Sequence, residues 1–360
     1  MPILESIHFM RLNYLNLAIL IVALGFGGTA CGTVGSTTAT TAPLLPFTEG
    51  ERVGFIDSTL ATRIPPSIPL NEGRNWPYRF SEHRAAVELE GKVGYINREG
   101  EIVIEPVFEE GYDFSDGRAR VKSEGRYGYI DRSGRLVIEA RYADAGDFSF
   151  GLAPVQVGGQ GSKWGFIDRS GRMAIPARFL EAEAFSDGRA LVQTPEHNEW
   201  GYINREGRPV IPAQYPRAHS FSEGLAAVQL AFRQFGYIDT LGLVYIESRF
   251  LEAGPFSEGK AAVAMPDDPD NLEEKSYGYI DRRGRFIVEP RFEEANPYHG
   301  GIARVKVNGR YGYIDRFGKP ITEPIFNEAW DFTAGLGLVK IGRRYAYINR
   351  DGIFVMEPSL

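Results

Sequence analysis

The sequence predicts an all-β fold of tandem three-stranded antiparallel repeats stacked in an elongated or curved array, with a closed β-propeller as the alternative. Three observations carry this reading. A ten-residue pattern, KWGFIDRSGR at 163–172, recurs as RYGYIDRSGR at 126–135, EWGYINREGR at 199–208, SYGYIDRRGR at 276–285 and RYGYIDRFGK at 310–319. The chain holds 42 Gly, 18 Tyr and 23 Phe in 360 residues, a turn-rich and aromatic balance that favours short strands over helices. The interior of the unit also has a fixed length, which marks a repeated structural element rather than a repeated word.

That length is read from two markers. The first is the glycine of the aromatic-Gly-aromatic-Ile-Asx stretch: Gly54, Gly94, Gly128, Gly165, Gly201, Gly236, Gly278 and Gly312, with Ala346 in the same place last. Successive gaps are 40, 34, 37, 36, 35, 42, 34 and 34 residues, within the range of repeat architectures. The second marker is the glycine of a Phe-Ser-acidic-Gly turn, which follows 23 residues later at Gly117, Gly151, Gly188, Gly224, Gly259, Gly301 and Gly335. All length variation lies between the second marker and the next first marker. A propeller blade usually takes four strands and ~40–45 residues, more than most of these gaps allow, so the open array is the preferred arrangement.

Within one unit the periods are those of strands. Tyr127 and Tyr129 alternate with Gly128 and Ile130, as on a pleated strand. The turn 131–134 follows, in which Asp bonds its own backbone and Gly supplies the left-handed residue of a bulged hairpin. Asp57, Asn97, Asp131, Asp168, Asn204, Asp239, Asp281, Asp315 and Asn349 hold that position. The return strand 136–139 is expected to end at a Pro-containing corner, as at Pro106, Pro176, Pro290 and Pro324, and a connector with one helical or 3₁₀ turn to lead into the Phe-Ser turn. A third strand, 118–122, sets Ala119 and Val121 inward and Arg118, Arg120 and Lys122 outward. The copy at 50–90 lacks the turn glycine at Leu60 and reads as an atypical cap, and the last unit is cut short after its second strand.

The N-terminus reads differently. An apolar run at 15–26, preceded by Arg11, is shorter than the ~20 residues that span a bilayer but suits the core of a secretory signal at 1–30. The residues GTAC at 28–31 resemble a bacterial lipoprotein processing box, which implies lipidation of Cys31 and a membrane contact only through that anchor; a plain cut after Ala30 and an uncleaved anchor are the alternatives. Residues 31–49, small and polar over 32–43, read as a flexible tether to a repeat domain at 50–360. Cys31 is the only cysteine, so no intrachain disulfide supports the fold.

These residues together identify the chain as similar to the WG-repeat proteins, a bacterial family also written KWG, over about residues 50–360. The literal pair occurs at Trp164-Gly165 and Trp200-Gly201, with Tyr, Phe or Val in place of Trp elsewhere. The resemblance implies a β-rich scaffold, often exported, without a common enzymatic activity.

Chemistry is weighed against that scaffold. A net charge of −7 supplies no basic footprint for nucleic acid. The four histidines after the signal, His83, His197, His219 and His299, are isolated, no phosphate loop or zinc pattern is present, and neither an enzyme nor a cofactor is expected. The aromatic positions headed by Trp164 and Trp200 have two readings, a stacking track for sugars or peptides and packing between sheets. The insertion at 265–276 carries Asp267, Asp268, Asp270, Glu273 and Glu274. It reads as a solvated acidic loop, with Ca²⁺ binding as the alternative, and insertions at one loop position map to one face, often the binding face. The functional expectation is a non-catalytic interaction scaffold at the cell envelope that binds a protein partner, with envelope polysaccharide or peptidoglycan, held by exposed aromatics, as the alternative.

Overall fold

The computed structural model describes residues 42–73, 76–159 and 161–357; the signal segment and Cys31 lie outside them. The described chain forms nine antiparallel sheets, five with four strands and four with three, and contains no helix. We call these sheets blades 1 to 9 in chain order, and the strands of a blade A to D. In blade 4 they are Asp144–Ala145, Leu152–Val157, Lys163–Asp168 and Met173–Phe179.

Both faces of a blade are buried. Tyr129 and Ile130 point to opposite faces of strand C in blade 3, and each is fully shielded from solvent. The apolar side chains sort into nine cores, each lying between two successive blades. An open stack of nine blades would have one core fewer. The ninth core joins Leu45 and Ile56 of blade 1 to Leu336, Leu338, Tyr345 and Tyr347 of blade 9. The array therefore closes into a nine-bladed β-propeller. Of the two arrangements the sequence leaves open, the closed one is realised, and the atypical first and last units pack on each other instead of capping a stack against water.

Closure within 34 to 42 residues per unit is possible because the connections are very short. Only Leu180 separates strand D of blade 4 from strand A of blade 5, Glu181–Ala182. The connector expected to hold a helical turn supplies this fourth strand instead. Strand A reaches strand B through the Phe-Ser turn, whose third and fourth residues both take left-handed conformations, φ 54° at Asp116 and 78° at Gly117. That is the pairing of a two-residue hairpin turn with the twist of its strands.

The Pro corners are corrected as well. Strand D runs through the proline in Ile102–Phe108, Met173–Phe179 and Phe286–Phe292. It is an edge strand, and a register shift between Phe166 and Trp164 lets it bulge past the proline, where a missing N–H costs nothing. The bulge also explains the marker glycine. Strand D crosses so close over strand C that a Cβ at Gly165 would lie 2.6 Å from the Ile175 carbonyl oxygen and 2.7 Å from the Ala177 nitrogen.

Neighbouring blades are latched at fixed spacing. A strand C tyrosine hydroxyl donates to a carbonyl 17 residues on, in the next blade: Tyr95 to Tyr112, Tyr129 to Gly146, Tyr202 to His219, Tyr237 to Gly254, Tyr279 to Asn296 and Tyr313 to Trp330. The serine of the Phe-Ser turn donates to the phenylalanine carbonyl of the following blade's turn, at 2.7 Å from Ser115 to Phe148 and from Ser149 to Phe185. The first strand, Leu45–Glu49, lies within the stretch that reads as tether, so the folded unit begins earlier than residue 50.

Candidate functional site

The repeated Asp and Arg build turns. Asp131 Oδ1 accepts from the backbone N–H of Ser133 at 3.0 Å and of Arg135 at 3.2 Å. The same pattern holds at Asp168, Asp281, Asp315 and the asparagines Asn97, Asn204 and Asn349. The Ser133 hydrogen bond leads in holding the Asp131 carboxyl below its ordinary range, and the two backbone N–H groups add to it. A charged recess of about 640 Å³ lies where these turns meet the Phe-Ser turns of blades 2 and 3. Its charges are answered within the protein, Arg132 by Glu82 at 2.6 Å and Arg169 by Asp116 at 3.1 Å. It tightens the ring.

A second cavity, about 480 Å³, lies among blades 5 to 8 and is of another kind. Trp200, Phe235 and Tyr277, each the residue before a marker glycine, line it together with Glu252 from the short A strand of blade 7 and Arg217 and His219, which flank the isolated Ala218–Val228 bridge in blade 6. The backbone register explains the convergence: Glu181, Gln193 and Trp200 align across blade 5 as a single row, and blades 3 to 9 carry the same row. The first position of the row is acidic at Glu110, Asp144, Glu181, Glu252, Glu294 and Glu328. Blade 6 places Arg217 there.

The acids of that row are largely neutralised inside their own blades. Glu110 accepts from Lys122 at 3.1 Å and Tyr127 at 2.9 Å, and Glu294 from Lys306 at 2.7 Å and Tyr311 at 2.9 Å. Glu252 accepts from both Lys275 and Tyr277. Burial alone would push the Glu252 carboxyl up, but those two hydrogen bonds and the charges of Lys275 and Arg217 hold it below its ordinary range. Burial, and then the bond to Glu252, push the Tyr277 hydroxyl upward, so it stays a donor. The Arg217 guanidinium makes no hydrogen bond or ion pair among the described residues. The imidazole of His219 packs against Phe235, ring centroids 5.9 Å apart.

The sequence-predicted residues divide. Trp200 lines the cavity and is half-buried, whereas Trp164 is only 7% exposed in the core between blades 4 and 5 and offers no free ring face. Its position serves packing between sheets. Asp267, Asp268, Asp270, Glu273 and Glu274 are all exposed, on an extension of strands B and C rather than an open loop: Lys260–Asp268 pairs with Asn271–Asp281 out to Asp268 opposite Asn271. These carboxylates do not gather, and no group of three metal-ligating side chains occurs among the described residues. Glu273 instead pairs with Arg233 of the neighbouring hairpin at 2.9 Å, and Phe232, next to Arg233 in sequence, is 85% exposed. Arg217, His219 and Phe232 were not singled out as a site by sequence. The available signal was the break in the acidic row at Arg217.

The fold and its repeated latches define a repeat-built β-propeller, a class that presents scaffolds for interaction. The pattern of the WG-containing repeat matches residues 94–127, 127–160, 164–194, 200–231, 235–265, 277–311 and 311–345, and the chain belongs to that family. No curated protein matches the sequence. Among solved structures the chain is similar to a eukaryotic initiation factor at 11% identity and a TM-score of 0.63, covering 89% of this chain and 96% of that one. BamB from Moraxella catarrhalis aligns at 15% identity over 80% of this chain and 91% of its own, with a TM-score of 0.41. At these identities the initiation-factor likeness bears on the fold alone, and the weaker alignment carries no argument.

Proposed function

We propose that this protein is a non-catalytic interaction scaffold of the cell envelope, exported by its N-terminal segment and tethered through lipid on Cys31, which holds a protein partner on the face bearing the B–C hairpins. The observation that carries this is Phe232, exposed at the tip of one hairpin and braced by the Arg233–Glu273 pair against the long acidic hairpin of the next blade. Phe232 gives this face an apolar contact point beside the charged extension of the neighbouring hairpin. The aromatic cavity is lined from the same two hairpins, by Phe235 near the start of Gln234–Asp239 and by Tyr277 within Asn271–Asp281. The recurring aspartates are consumed by their own turns, which supports a scaffold over acid-base chemistry.

The test is affinity capture from envelope extract with the chain from residue 42 onward, its Phe232→Ser variant and a deletion of 266–274, with far-ultraviolet circular dichroism confirming that each is folded. The expected result is a protein partner retained by the parent and lost by both variants. An interactome that neither variant changes overturns the reading, and retention of glycan alone moves the assignment to envelope polysaccharide.

A further inference from the structure

The cavity among blades 5 to 8 holds one cation that the protein does not answer. Six of the seven positions in its row are acidic, and at this cavity the row supplies Arg217 beside the acidic Glu252. Its nearest candidate acceptor, Glu252, is already engaged by Lys275 and Tyr277. The residue that faces Arg217 across the blade, Gln229, turns its side-chain amide to the Ala231 carbonyl at 3.2 Å. The exposed Arg217 and His219 thus line a cavity shared with Trp200 and Tyr277, and the Arg217 guanidinium has no hydrogen-bonded acceptor there among the described residues. An arginine fork matches a carboxylate geometrically, and rings beside it favour an apolar body attached to that carboxylate. The volume of about 480 Å³ falls within the ~300–1,000 Å³ of small-ligand sites.

We propose that this cavity captures the C-terminus of a partner polypeptide, with the free α-carboxylate on Arg217 beside His219 and a bulky apolar last side chain against Trp200 and Tyr277. The C-terminus is the one place in a polypeptide where a carboxylate and an apolar side chain branch from the same carbon. An internal Asp or Glu carries the charge at the end of the side chain and leaves the rings without an occupant. The proposal rests on the scaffold reading above and assigns the part of the partner that is recognised.

The test uses the folded chain from residue 42 onward with acetyl-Ala-Ala-Phe as the free acid and as its C-terminal amide, followed by calorimetry and by the emission of Trp200. The acid is expected to bind and perturb that emission, with the amide at least tenfold weaker. Arg217→Glu restores the residue type that other blades carry at this position, so it leaves the fold intact. It is expected to lose the acid at least tenfold and to leave the far-ultraviolet spectrum unchanged. Equal binding of acid and amide, binding of neither, or acid binding that Arg217→Glu does not alter each overturns the proposal. None of these outcomes touches the hairpin variants, so the scaffold reading stands or falls separately.

Discussion

The hydroxyl of Tyr347 donates to the backbone carbonyl of Pro46 at 2.7 Å, across a sequence separation of 301 residues. In blades 2, 3 and 5 to 8 the equivalent tyrosine reaches forward by 17 residues into the next blade. The first strand, Leu45–Glu49, occupies that acceptor's place for Tyr347, and the latch that joins neighbours elsewhere here joins the two ends. Closure uses the repeat's own interaction, supplied by an unrelated stretch of sequence.

A charged clasp accompanies that latch, and it makes closure pH-dependent. Glu72 accepts from Lys340 and from Tyr345, each at 2.7 Å. The Lys340 hydrogen bond leads in holding the Glu72 carboxyl below its ordinary value of 4.5. Burial works against the Lys340 ammonium, but Glu72, Tyr345 and Glu328 outweigh it and raise it above its ordinary 10.5. A lowered carboxyl stabilises the fold above its unfolded value and loses that contribution as pH falls through the folded one. A raised ammonium contributes fully below its unfolded value and loses it as pH rises. The clasp is therefore complete between about pH 5 and pH 10. Glu72 is about half exposed, so solvent screening limits its contribution to about 0.5–1 kcal/mol. Urea unfolding of Glu72→Gln and of the parent should differ by that amount at pH 7 and converge toward pH 3; a gap that persists at pH 3 would show that charge is not its origin.

The marker glycine makes a steric prediction. At Gly165 an added Cβ meets the backbone of strand D, which cannot yield as a side-chain end would. Gly165→Ala should cost about 2–3 kcal/mol by overpacking. Gly125 sits in an open turn at φ 71° with nothing within 4 Å, and alanine there should cost only about 1 kcal/mol of backbone strain. The chain holds a natural control: Ala346 stands at the marker position of blade 9, where strand D is cut to Phe354–Met356. Chemical denaturation of the two variants side by side measures the difference, and equal losses would remove the strand-crossing explanation.

Local chemistry made the turns, strands B and C and the repeat boundaries legible, because Asx, Gly and alternating apolar residues fix backbone within a few positions. The fourth strand was not legible. Asp144–Ala145 is two residues long, and its pairing with Gln156 and Val155 depends on a strand that follows it, not on its own sequence. Closure was hidden for a related reason: the ninth core joins residues such as Leu45 and Tyr347 that no repeat period relates. The acidic hairpin was visible as an insertion, yet the cavity needed the blades to be in place before Trp200, Phe235 and Tyr277 could meet. Trp164 and Phe235 are buried in cores while Trp200 and Tyr277 at the same position are half-buried, so the sequence position alone does not set exposure.

The repeated aspartates give the sharpest separation between scaffold and chemistry. If Asp131 serves only to accept the backbone N–H groups of Ser133 and Arg135, an amide oxygen serves as well, and Asn97, Asn204 and Asn349 already do so in blades 2, 5 and 9. Asp131→Asn then forfeits only the exposed pair with Arg135, 3.2 Å away, and should change stability by less than about 0.5 kcal/mol. Asp131→Ala removes the acceptor, leaves two N–H groups to water in a strained turn, and should cost about 1–2 kcal/mol. Thermal and urea unfolding of the pair decides it: were the asparagine variant to fall as far as the alanine one, the carboxylate charge rather than the turn geometry would be what this position requires.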